Sequence, residues 1–209
     1  APFSEFLILH FQILSGSDIF ANLVQWISLI IGLATVSLIC KEFELGKRLQ
    51  LISAVFMCSL PSVLLQASST KNDIVASTFI LLFYYYQITL VKKYSIASVY
   101  LSGLSLGLGI LTKGTCYILL FAIGITHFAY LITFKIWDIK KILFRYGIIF
   151  SVGFLINLPH YLRNIIKYDD MLGLNTLPSL TNELFSFGVM FSNLIRHIAY
   201  QLGTNINII

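Results

Sequence analysis

Charge is scarce in this sequence: only 11% of its 209 residues are charged, against about a quarter in a soluble globular domain. With 57% hydrophobic residues and a mean hydropathy of +0.86, the chain reads as an integral membrane protein. The alternating pattern of outer-membrane strands is missing, which leaves helices. Cys40, Cys58 and Cys116 fall inside apolar runs at unrelated spacings, so each is expected to behave as a small hydrophobe rather than as half of a disulfide. His10, His127, His160 and His197 show no ligand spacing with one another or with carboxylates, and neither H-E-x-x-H nor C-x-x-C occurs. A metal site built wholly from this chain is not expected; one completed by residues outside it stays open, and the cofactor is otherwise unassigned. No basic run with interleaved aromatics occurs, so the net charge of +5 points to basic cytoplasmic loops and not to nucleic acid. Also lacking are an inverted internal repeat of the transporter kind, an initiator Met, and the basic flank and cleavage site of a signal peptide around Ala1–Glu5. The sequence is therefore expected to be a fragment of a longer chain.

What is present is a series of apolar stretches near the ~20 residues a helix needs to cross the hydrocarbon core. Six spans are expected, at 19–40, 49–67, 73–91, 95–112, 115–134 and 143–162. The fold class is thus all-α, a polytopic transmembrane bundle. Residues 3–15 are apolar but short and carry Glu5, His10 and Gln12, which suits a helix lying in the interface. Residues 182–202, with Arg196-His197 near their middle, read as a second interfacial helix or a seventh span. Three regions follow: 1–18, the end of an outer loop with its interfacial helix; 19–162, six membrane helices; 163–209, an outer-face segment. Lys41, Lys47, Arg48, Lys92, Lys93, Lys135, Lys140, Lys141 and Arg145 occupy every second loop, leaving five of the fourteen basic residues for the others. By the positive-inside bias those nine face the cytoplasm. The amino-terminal helix, Gln66–Asp73, the Lys113 turn and the carboxy-terminal segment then face outward. Most carboxylates share that outer side, an asymmetry that insertion does not explain because acidic residues contribute little to topology.

Four outer residues are candidates for chemistry. Asn72 and Asp73 lie where the second span gives way to the third; either caps that helix, or the Asp73 carboxylate faces a ligand at the membrane surface. Lys113, in Gly107–Thr115, interrupts a long apolar run and must snorkel to headgroups or meet an anion such as a substrate phosphate. Pro159 ends or kinks the sixth span, placing Arg163 just beyond the membrane, as an interfacial anchor or as a fork for phosphate oxygens. Gly103 and Gly107 form a small-xxx-small pair that reads as close helix packing.

Taken in order, several stretches carry a resemblance: Pro2…Glu5-Phe-Leu-Ile-Leu, Leu14-Ser-Gly-Ser-Asp18…Ala21…Gln25, Pro61…Gln66-Ala-Ser-Ser-Thr…Asn72-Asp73, Gly103-Leu-Ser-Leu-Gly107…Thr112-Lys113-Gly114 and Pro159…Arg163-Asn164. Over nearly its whole length the chain resembles the polytopic, lipid-carrier-dependent glycosyltransferases of the C-type (GT-C) superfamily, which includes protein mannosyltransferases and the aminoarabinose transferase of lipid A. The resemblance implies hexosyl or pentosyl transfer from a polyprenyl-phosphate donor to a protein, lipid or glycan acceptor at the non-cytoplasmic face of a multi-pass protein; the plasma (inner) membrane is expected as its location on general grounds and not from the resemblance. It implies that residues 1–18 end the family's first outer loop. The primary catalytic Asp would then precede Ala1, and the stretch alone would be inactive. Asp73 matches the family's second acidic position. Lys113 and Arg163 are similar in placement to basic residues that meet the carrier's phosphate, with Asn72 beside them. The competing expectations are a non-catalytic membrane scaffold and a transporter or flippase; the gathering of ionisable residues at helix ends argues against the last.

Overall fold

A computed structural model describes residues 2–173, 186–201 and 203. Among them there are helices and no strands: α1 (Phe3–Ser15), α2 (Leu23–Glu42), α3 (Lys47–Ser59), α4 (Pro61–Ala67), α5 (Asp73–Lys92), α6 (Ile96–Thr112), α7 (Cys116–Thr133), α8 (Ile139–Tyr168) and α9 (Phe187–Gln201). α2, α5, α7 and α8 are each long and apolar enough to cross a membrane. With its many apolar side chains turned outward, among them Ile30, Ile118 and Phe144, the protein is a helical multi-pass membrane bundle.

Two expected spans differ in form. The stretch 49–67 is not one helix: α3 and α4 meet at Leu60-Pro61 with a bend of 69°. Proline has no N–H for the helix ladder and its ring crowds the preceding turn, so it fits here only as the first residue of a new helix; Pro61 takes that place in α4. Pro159, by contrast, does not end its helix. α8 continues through it to Tyr168, 30 residues in all. At 1.5 Å per residue that is about 45 Å, longer than a ~30 Å hydrocarbon core, so its last turns and Arg163 extend past a span while remaining helical. Of the expected spans that form one unbroken helix, α6 is the shortest, at 17 residues.

Contacts between side chains fix the topology. α5 runs antiparallel to α6: Asn72 reaches the Thr112 carbonyl at one end, and Gln87 Nε2 donates to Ser102 Oγ at 2.6 Å further along. α6 and α8 run in the same direction and pack closest, because three glycines line their seam. A Cβ on Gly103 would come within 2.8 Å of Val152 Cβ, one on Gly107 within 2.8 Å of Ile156 Cδ1, and one on Gly153 within 2.6 Å of Leu106 Cδ2. Without a hydrophobic force between helices in lipid, such close backbone approach is what binds them. Asn157 adds a hydrogen bond to the Gly107 carbonyl at 2.9 Å across the same seam. α2 lies parallel to α5, with Thr78 Oγ1 donating to the Ser28 carbonyl at 2.8 Å.

The helices therefore sort their connections onto two ends. One end gathers the start of α5, the α6–α7 turn and, through the Tyr117–Tyr161 hydroxyl contact of 2.7 Å, the later part of α8. The opposite end gathers Glu42 with Lys92, and the guanidinium of Arg145 stacked between Tyr94 and Trp137 at 4.0 and 3.5 Å from their ring centres. α1 packs at the first end, Phe3 meeting Phe79 edge-on at 5.7 Å. α9 docks on α4 through Ser62 and Gln201; at 15 residues it is short for a crossing. Residues 182–185 and 202 of the expected 182–202 helix lie outside the described residues.

Candidate functional site

The stretch between α4 and α5 is short and held by its own turns. Ser69 Oγ donates to the Gln66 carbonyl at 2.7 Å and in turn accepts from the Lys71 N–H at 3.3 Å. α5 then begins at Asp73, in its first turn, where a carboxylate meets the positive end of the helix. Asn72 occupies the cap position, but its side chain makes no capping bond. It faces away from α5, donating to Glu5 Oε1 at 2.9 Å and to the Thr112 carbonyl at 3.3 Å. Gln25, fully buried on α2, takes over the capping work: its Oε1 accepts the N–H of Val75 at 3.2 Å.

Relieved of that duty, the Asp73 carboxylate turns to the next hairpin. α6 ends at Thr112, and Lys113 follows in an extended conformation that sends its side chain back across the bundle end to pair with Asp73 Oδ1. Both side chains are one-third exposed, dry enough to strengthen the interaction yet open to a ligand. Asp73, Lys113, Asn72 and Glu5 thus form one polar patch, assembled from α1, α5 and the α6–α7 turn. Next to it Tyr117, one turn past Lys113, shares its hydroxyl contact with Tyr161. Below that pair a cavity of about 290 Å³ runs between α6, α7 and α8, lined by Leu106, Ile110, Leu120, Phe121, Phe150 and Phe154.

A sequence model of the dolichyl-phosphate-mannose-protein mannosyltransferase family matches residues 1–162. The chain belongs to that family. It is a membrane glycosyltransferase of the GT-C type, whose members work on lipid-linked sugar donors in a membrane. No curated protein and no solved structure matches it.

In this mannosyltransferase-family chain, three of the four residues singled out from the sequence come together, Asn72, Asp73 and Lys113, all inside the matched segment. Arg163 does not join them. It is exposed on the last turns of α8, with one guanidinium nitrogen 3.1 Å from His160 Nδ1, and it lies one residue past the match. Two site residues were not singled out for chemistry by sequence reasoning, Glu5 and Gln25. For Glu5 the signal was a carboxylate in a short, mainly apolar helix; for Gln25 it was an amide in the first turn of an apolar membrane helix. Among the described residues no three His, Cys, Asp or Glu side chains group closely enough to hold a metal ion between them.

Proposed function

We propose that this glycosyltransferase moves a sugar from a polyprenyl-phosphate donor to an acceptor hydroxyl at the non-cytoplasmic face, with Asp73 and Lys113 at the reacting headgroup. The observation that carries this reading is their pairing at the bundle end opposite the nine basic loop residues. A donor of this class keeps its hydrocarbon chain in the bilayer and presents its charged headgroup at the surface, so a one-third-exposed acid and base at a membrane end suit it. The apolar cavity leading up to Tyr117 and Tyr161 offers room for the first isoprene units beneath the phosphate.

The chemistry assigns each group a role. As the acceptor oxygen attacks the anomeric carbon, a new C–O bond forms and the bond from that carbon to the phosphate oxygen breaks, the electron pair leaving with the phosphate. Positive charge develops on the sugar and the acceptor loses its proton. A carboxylate serves both needs, facing the sugar or taking the proton. Lys113 answers the negative charge that grows on the departing phosphate. At rest each neutralises the other; the donor phosphate, entering beside Lys113, shares the ammonium and frees Asp73 toward the sugar. Asn72, tied to Glu5 and the Thr112 carbonyl, keeps the backbone before Asp73 in place.

The test is transfer of radiolabelled sugar by the full-length protein in liposomes from a panel of polyprenyl-phosphate sugars that includes dolichyl-phosphate mannose, wild type beside Asp73→Asn. Transfer by the wild type that is lost in the folded variant supports the reading. Equal transfer by both removes Asp73 from the site, and no transfer from any donor turns the assignment toward a non-catalytic scaffold.

A further inference from the structure

Gln25 is fully buried close to the site, with 0% of its surface exposed, and its amide works in both directions. Oε1 accepts from the Val75 N–H at 3.2 Å, while Nε2 reaches the Gln66 carbonyl at 3.4 Å, the longer of the two. These anchor points flank residues 67–74, the stretch that presents Asn72 and Asp73. The Val75 N–H needs such a partner. The first bond that closes α5 on itself runs from Ala76 N to the Asn72 carbonyl at 3.0 Å, so Val75 lies among the N-terminal donors with no carbonyl in their own helix. The Asn72 side chain does not serve it, and a buried donor left unpaired bears its full desolvation cost.

We infer that Gln25 is a positioning residue for glycosyl transfer: from α2 it fixes the start of α5, and so the direction of the Asp73 carboxylate toward Lys113, without touching substrate. The inference rests on the proposed role of Asp73. One turn further along, Thr78 Oγ1 bonds the Ser28 carbonyl at 2.8 Å, and Leu29 packs with Ile74 and Ala67. The α2–α5 pair therefore has its own supports, and loss of the Gln25 amide acts on the loop end and not on the whole helix. Small displacements of a catalytic group are enough to slow chemistry by orders of magnitude.

The experiment uses the full-length protein in nanodiscs with Gln25→Leu, Gln25→Glu and Asp73→Asn. In Gln25→Leu the Val75 amide should exchange hydrogen about tenfold faster, with the amides of Thr78–Leu90 unchanged; this arm needs no substrate. With dolichyl-phosphate mannose as donor, kcat per folded molecule should fall roughly 10–100-fold while the donor KM stays within about threefold, a split that reports misalignment and not lost binding. Gln25→Glu adds a pH readout. Protonated, its carboxyl donates and accepts as the amide does; ionised, it only accepts. Its kcat relative to wild type should therefore fall as pH rises, and this arm decides the matter if Gln25→Leu does not fold. Unchanged Val75 exchange, or a normal kcat in Gln25→Leu beside an inactive Asp73→Asn, overturns the inference alone. Full activity in Asp73→Asn overturns the reading of the site and this inference with it.

Discussion

Among the described residues each end of the bundle carries one lysine–carboxylate pair between distant segments, and the two pairs are put to different use. Lys92, the last residue of α5, donates to the backbone carbonyl of Glu42 and forms an ion pair with its carboxylate at 3.7 Å. Glu42 is the last residue of α2, so the ammonium closes a helix C-terminus, where carbonyls lack partners and the helix end is negative. Lys113 and Asp73 touch no helix-end backbone in this way. The start of α5 is served by Gln25 instead. The same pair of charges is thus consumed by the fold at one end and left available at the other, although helix dipoles favour both arrangements.

The sharpest way to break this contrast is to neutralise one acid at a time. Asp73→Asn should lower sugar transfer by about 10²–10⁴-fold, the span expected for loss of a positioned acid–base group, whereas Glu42→Gln should stay within about threefold of wild type. Comparable losses in both would mean that the pairs do not differ. The next largest effect separates packing from chemistry. Gly103→Ala drives a methyl to 2.9 Å from the Ile149 carbonyl oxygen and against Val152, and should destabilise the bundle by roughly 1–3 kcal/mol. Thermal unfolding in detergent checks this, and activity per folded molecule should hold.

Sequence reasoning reached the bundle and the two-ended placement of charge because both follow from local composition: hydropathy over about twenty residues, and basic residues in every second loop. It singled out Asp73 and Lys113 one at a time, Asp73 at the end of a polar stretch that also holds Lys71 and Lys113 as a lone charge in an apolar run, but not their pairing, which joins residues 40 apart through the antiparallel packing of α5 on α6. The capping alternative for Asn72 could not be weighed without α2, because the group that serves the first turn comes from Gln25, 50 residues away from Val75. Pro61 and Pro159 look alike in sequence. One breaks its span by 69° and the other lies inside a continuous helix, a difference set by what surrounds each and not by the residue.

A finer test concerns the two cations near the site. Lys113→Ala should raise the apparent donor KM about tenfold, some 1.4 kcal/mol, because a charge-assisted contact to phosphate is lost. Arg163→Ala should raise it by less, since Arg163 stands apart from the pair and leans on His160. A larger effect at Arg163 would move the phosphate toward the end of α8.

The smallest expected effect is the most demanding of the comparison. Lys92 is 43% exposed at its side chain, and pairs of that kind are worth about 0–1 kcal/mol. Lys92→Ala should therefore shift unfolding only slightly and, because its ammonium serves the end of α2, should leave the donor KM unchanged. Lys113→Ala, at a side chain of 33% exposure, should show the opposite pattern, with a clear change in donor use and a stability change of the same small size. Measured side by side, the two lysines ask whether a surface charge is spent on the helix beside it or kept for a ligand. A donor KM that rises equally in both would place the headgroup within reach of each end, which no single position in a bilayer allows, and would point to bulk surface charge in place of a site.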